Sequence, residues 1–147
     1  MNVKELHVLI VEDSAEDAQL LLLQLRRNGY KPVAQRVETA EEMERALDDK
    51  AWDLVIADYS LPTFNALAAL DLLHRRGLDI PFLVVSGTIG EETAVEAMRD
   101  GAHDYIMKGS SARLIPAIAR ELREAAKSPD RQQWARRQTA PPNAADR

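Results

Sequence analysis

His7-Val8-Leu9-Ile10-Val11-Glu12-Asp13-Ser14 is the stretch that decides the fold. Four aliphatic residues run without a polar break and stop at two acids and a serine. A strand with one wet face alternates apolar and polar residues, so an unbroken short run belongs to a strand covered on both faces. Ser14 precedes Asp17 at the spacing of a capping box, which starts a helix where the strand stops.

The same reading repeats outward along the chain. Strands are predicted at His7 to Val11, Pro32 to Val37, Leu54 to Ala57, Phe82 to Val85 and Asp104 to Met107. Helices are predicted at Ser14 to Asn28, Thr39 to Asp49, Ala66 to Arg76, Glu91 to Asp100 and Ser111 to Lys127. Thr39 precedes Glu42 at capping-box spacing, and Gly29, Gly77 and Gly101 stand where helices should stop. Five βα units with short loops imply right-handed crossovers and a parallel sheet covered on both faces. The fold class expected is therefore a doubly wound α/β sandwich of the flavodoxin-like kind, with strand order 2-1-3-4-5.

Composition narrows the chemistry. The 147 residues suffice for one domain with a single sizeable core. A net charge of −5 argues against a chain that holds nucleic acid by neutralising phosphates. The absence of cysteine removes disulfides, thiolate nucleophiles and Cys-ligated zinc. No apolar run approaches a membrane span, and acids follow the first apolar run where a signal peptide would continue, so a cytoplasmic protein is expected. The charge is uneven. The last 20 residues hold four arginines against two aspartates, a balance of +2, which leaves −7 for residues 1–127. The domain is expected over residues 1–127, followed by a disordered tail or linker over 128–147.

In doubly wound sheets ligands bind beyond the carboxyl ends of the strands. Here those ends run into Glu12-Asp13, Asp58, Ser86-Gly87-Thr88 and Lys108. Singly, each has a plain reading as a cap, a turn residue or a solvated lysine. Jointly, three carboxylates on one rim repel one another, and a divalent cation relieves that. Oxygen ligands without His or Cys favour Mg²⁺. The set reads as phosphoryl transfer onto Asp58 as nucleophile, with the metal and Lys108 neutralising charge and Ser86 donating a hydrogen bond. His7, His74 and His103 fall on a strand start, a helix and a pre-strand turn, and are read as structural or solvated.

These motifs, HVLIVEDS, LVIADYSLP with Asp58, FLVVSGT with Ser86 and GAHDYIMK with Lys108, resemble the receiver domain of bacterial two-component response regulators over about residues 5 to 125. The resemblance implies a phosphorelay switch in which Asp58 takes a phosphoryl group from a phosphohistidine of a sensor histidine kinase or histidine phosphotransfer protein. It implies Mg²⁺ held directly by Asp13 and Asp58, through water by Glu12, and by the backbone carbonyl of Ser60. Lys108 and Ser86 would contact the phosphoryl group, and Tyr105 would turn inward behind Ser86 from a resting position with its hydroxyl at the surface. Ser60 and Thr88 occupy positions where the family tunes dephosphorylation, and neither is acidic or amide-bearing, which suggests slow decay. The signal would leave through the helix 4, strand 5, helix 5 surface.

The chain departs from the family at three places. Gly109 follows Lys108 where many members carry a proline in a cis peptide, so a trans peptide and a differently set loop are expected here. Ala66 stands where a glycine is usual, which puts the loop after Asp58 in question if φ must be positive there. Pro116 lies inside the fifth helix and should bend or delay its first turn. Leu114, Ile118 and Leu122 still form an apolar stripe, read as packing on the sheet or, alternatively, as part of a homodimer contact. Leu20 to Leu23 and Leu25 are too many for one helix face, so either they pack on helix 5 or a partner covers the surplus. Two rival functions remain: an interaction module of the same fold that takes no phosphate, and a Mg²⁺-dependent phosphohydrolase with an aspartyl nucleophile. Neither a substrate cap nor a second Asp two residues after Asp58 supports the latter, since Tyr59-Ser60 follows.

Overall fold

The computed structural model describes residues 4–87 and 91–127. The expected tail, residues 128–147, and Thr88 lie outside the described residues. Five parallel strands, β1 (Lys4–Val11), β2 (Tyr30–Val37), β3 (Leu54–Asp58), β4 (Phe82–Ser86) and β5 (Asp104–Met107), pair in the order β2-β1-β3-β4-β5, as expected. They alternate with α1 (Ala15–Arg27), α2 (Ala40–Asp49), α3 (Ala66–Arg75), α4 (Glu91–Arg99) and α5 (Ser111–Lys127). The first two strands start earlier than predicted, Lys4 instead of His7 and Tyr30 instead of Pro32, because backbone pairing extends past the apolar runs. Pro32 is tolerated because β2 is an edge strand.

Caps end the helices much as their residues predict. Ser14 and Thr39 accept hydrogen bonds from the N–H groups of Asp17 and Glu42, and Asn65 does the same for Ala68. The Glu42 carboxylate reaches back to the N–H of Glu38, one residue before the cap. Asp17 does not reach back at all, and its carboxylate leaves the helix. Gly29, Gly77 and Gly101 follow α1, α3 and α4 with positive φ.

Strand parity sorts the core into two layers, because successive side chains of a strand point to opposite faces. Leu6, Val8, Ile10, Leu54, Ile56, Leu83 and Ile106 share one cluster with Ala18 and Leu25 of α1 and Leu114, Ala117 and Ile118 of α5. Leu9, Val11, Val55, Ala57, Phe82, Val84 and Tyr105 face α2, α3 and Ala97 of α4. The leucines of α1 divide accordingly: Leu21, Leu22 and Leu25 join the α5 side, whereas Leu20 and Leu23 remain exposed.

Pro116 neither delays nor breaks α5, which is continuous from Ser111 to Lys127. The residue is on the exposed side of the helix, where water can satisfy the carbonyl that loses its partner. Leu114 and Ile118 are buried on the sheet and Leu122 packs beside them. Ala66 opens α3 fully buried, and no described residue other than glycine has positive φ, so the loop closes without a glycine there.

Candidate functional site

Parity also builds the site. Glu12 continues the row Val8, Ile10; Asp58 continues Leu54, Ile56; Lys108 continues Ile106, so all three belong to the α1/α5 face. Register places them at one height, since Val11 pairs with Ala57 and Asp58 with Val85, which pairs with Ile106. Lys108 lies two residues beyond Ile106, and a long side chain spans the gap back to β3 and β1. Its Nζ stands 2.7 Å from a carboxylate oxygen of Asp58, 2.7 Å from one of Glu12 and 2.6 Å from one of Asp17.

Glu12 and Asp58 are buried, each only 4% exposed. Burial pushes the Glu12 carboxyl above its ordinary value and the nearby Asp58 charge adds to this, while the Lys108 ammonium and the Ser14 N–H pull it back. Burial alone would lower Lys108, but hydrogen bonds to Asp17, Asp58 and Glu12 outweigh it and raise its pKa. The other oxygen of Asp58 accepts the N–H of Ser60 at 2.8 Å, which fixes the plane of the carboxylate.

Ser86 has the opposite parity and is fully buried on the other side of the rim. Its hydroxyl lies 3.2 Å from that of Ser60. Its carbonyl accepts the Lys108 N–H, which ties the start of the loop after β5 to β4. Tyr105, on the same face as Ser86, is almost completely buried, with its ring centroid 6.3 Å from that of Tyr59. The ring is packed in the sheet face, as the sequence reading expects of a resting Tyr105.

Of the expected grouping of Glu12, Asp13 and Asp58, Glu12 and Asp58 meet at the Lys108 ammonium. Asp13 is exposed, one residue out of phase with the row that carries Glu12. Among the described residues no three acidic or histidine side chains converge as metal ligands. The third carboxylate of the network is Asp17, from the first turn of α1. Sequence reading missed it because its spacing from Ser14 marked it as a cap partner. The available signal was its place on the inward stripe Asp17, Leu21, Gln24. That stripe borders a cavity of about 110 Å³ between α1 and α5, floored by Ile10, Ile56 and Ile106, with Lys108 beside Asp17 at its polar end.

The Lys108–Gly109 peptide is trans, as expected, and Gly109 takes φ +86°. A proline, locked near −65°, could not adopt that conformation, so this loop is set differently from a prolyl one. The three histidines stay out of the site: the His7 ring lies near Glu5 and Asp53, His74 is exposed on α3, and His103 Nδ1 accepts the N–H of Phe82.

Comparison with known proteins follows the same geometry. The family model of the response regulator receiver domain matches residues 8–120, spanning all five strands. The chain belongs to the response regulator receiver family. Among relatives of this receiver, the phosphate regulon transcriptional regulatory protein PhoB of Klebsiella pneumoniae is 32% identical over 115 residues, covering 75% of the chain and 48% of PhoB. The response regulator protein FleR of Pseudomonas aeruginosa is 36% identical over 114 residues, covering 77% of the chain and 24% of FleR. The receiver thus spans half or less of the length of these relatives. Among solved structures, NtrX from Brucella abortus matches with TM-score 0.71 and 30% identity over 82% of the chain and 27% of NtrX. The beryllofluoride-activated NtrC4 receiver domain dimer matches with TM-score 0.70 at 24% identity, over 80% of the chain and 97% of that domain. A receiver domain is a signalling module, and among the described residues no helix is long and apolar enough to cross a membrane.

Proposed function

We propose that this receiver is a phosphorylation-dependent switch of a two-component phosphorelay, with Asp58 as the phosphoacceptor. The observation that carries the reading is the buried Asp58 carboxylate, held by the Ser60 N–H on one oxygen and by Lys108 on the other. A carboxylate so oriented can attack phosphorus in line, forming the acyl phosphate as the phosphorus–nitrogen bond of the phosphohistidine breaks and the imidazole leaves. Lys108 then donates to a phosphoryl oxygen, a charge-assisted hydrogen bond. Ser86 exchanges the Ser60 hydroxyl for a phosphoryl oxygen. That exchange alters the packing of Tyr105 on the same face and hence the surface of α4, β5 and α5. With neither Ser60 nor Thr88 suited to orient an attacking water, the acyl phosphate decays slowly.

The donor set suits Mg²⁺. Glu12 and Asp58 are two buried carboxylates that already share one cation, the Lys108 ammonium, and their oxygens are the hard ligands Mg²⁺ takes. Asp58 with the carbonyl of Ser60 and Asp13 would hold the ion, and Glu12 would act through water. When bound, Mg²⁺ supplies charge neutralisation for the incoming phosphoryl oxygens.

The donor we infer is a phosphohistidine on a sensor histidine kinase or histidine phosphotransfer protein in the cytoplasm, docking over the exposed Leu20 and Leu23 of α1. The output is a changed contact surface, homodimerisation through α4, β5 and α5 included, while the acidic domain itself does not bind nucleic acid. The test is incubation with acetyl phosphate or phosphoramidate and Mg²⁺, read by intact mass. One added phosphoryl group, lost in Asp58→Ala, supports the switch. No addition with either donor would leave a non-phosphorylated interaction module, and sustained turnover of a phosphoester abolished by Asp58→Asn would make it a phosphohydrolase.

A further inference from the structure

We propose that Asp17 is a positioning residue for Lys108, a resting place that lets the ammonium release Glu12 and Asp58 when Mg²⁺ enters. The inference rests on the reading of Asp58 as a ligand of the ion, with Glu12 beside it acting through water. An ammonium has three hydrogens to donate, and Lys108 directs them at three separate carboxylates. Two of those carboxylates are the buried pair on the strand ends. While the ammonium sits between them, a second cation in the same place meets a like charge at contact distance. Binding of the ion therefore requires Lys108 to move, and a lysine moved off both carboxylates without another partner loses the interactions that hold it charged in a partly buried place.

Asp17 solves this problem. Its side chain is 41% exposed, on the helix side of the ammonium, whereas Glu12 and Asp58 are on the sheet side. It lines the cavity between α1 and α5 together with Lys108, so there is space at the contact. Its bond crosses 91 residues of sequence, although the Ser14 cap spacing would have let the carboxylate serve its own helix end. The neighbouring Glu16 is exposed in the same first turn and already complements the helix dipole.

The test is a Mg²⁺ titration followed by the backbone amide shifts of Tyr59 and Ser60, in the unmodified chain, Asp17→Asn, Lys108→Gln and the double variant. Glu16→Gln removes an equal charge from the same turn as a control, and Asp17→Ser replaces Asp17→Asn should the latter lose its dispersed spectrum. Asp17→Asn should weaken Mg²⁺ binding about fivefold, and the same change in the Lys108→Gln background should have no effect, as expected of two residues acting through each other. Equal weakening in both backgrounds would make Asp17 a mere contributor to the local field and overturn the proposal, as would unchanged or tighter binding in Asp17→Asn or an equal effect of Glu16→Gln. A chain that shows no saturable shift at all would overturn the Mg²⁺ reading itself, and this inference with it.

Discussion

Two ionic clusters flank the α1/α5 face, and they differ in their balance of charge. At the rim, one cation, Lys108, serves three carboxylates, Glu12, Asp17 and Asp58. Along α5, Asp104 takes Arg113 at 3.3 Å and Arg120 at 2.9 Å, and Arg120 also holds Glu121. The second cluster balances two acids with two arginines and pins α5 to β5. The first leaves two negative charges uncompensated, and two of its acids are buried. A balanced cluster on a half-exposed helix holds structure together. An unbalanced one at a strand-end rim attracts a cation and a charged substrate, which is the difference between a fastening and a site.

The largest effect is expected at Lys108. Without divalent cation, Lys108→Gln should cost about 2 to 3 kcal/mol in urea unfolding, because it strands two buried carboxylates. Added Mg²⁺ should recover much of that loss and do nothing for variants of the α5 cluster. Next in size is the loop after β5: Gly109→Ala should cost about 1 kcal/mol, since φ +86° suits glycine and strains alanine. Arg120→Gln should cost at most about 0.5 kcal/mol and less in high salt, because the guanidinium is half exposed.

pH separates the clusters further. Lys108 is raised above its ordinary 10.5, so its stabilisation is complete below pH 10.5 and disappears as the pH climbs through the higher folded-state value. Glu12 is raised above 4.5, so just above pH 4.5 the folded state binds more protons than the unfolded one and stability falls as pH rises through that window. Thermal unfolding of Glu12→Gln should lack that slope, whereas Asp104→Asn should retain it.

The fold was legible because the signals were local: apolar runs end where strands end, and Ser14 and Thr39 cap where helices begin. Asp58, Ser86 and Lys108 were legible for the same reason, as the first polar residues after buried strands. Asp17 was not, because its partner lies 91 positions away and its local spacing already had an explanation as a cap. The greater exposure of Asp13 than of Glu12 was also hidden. Two adjacent acids look equivalent in a sequence, and only strand parity sends one inward and the other to solvent. The delay expected of Pro116 does not occur, since a helix already packed on a sheet by Leu114 and Ile118 tolerates one missing hydrogen bond on its wet side.

The carboxylate of the unbalanced rim that takes the phosphoryl group can be identified chemically. Borohydride reduces an acyl phosphate of aspartate to homoserine, so trapping the domain after treatment with acetyl phosphate and Mg²⁺, followed by peptide mass mapping, reads the position directly. We expect homoserine at residue 58 and at no other. Homoserine at residue 13 or 17, or none in a chain that has gained a phosphoryl group, would contradict the assignment of Asp58 as the acceptor.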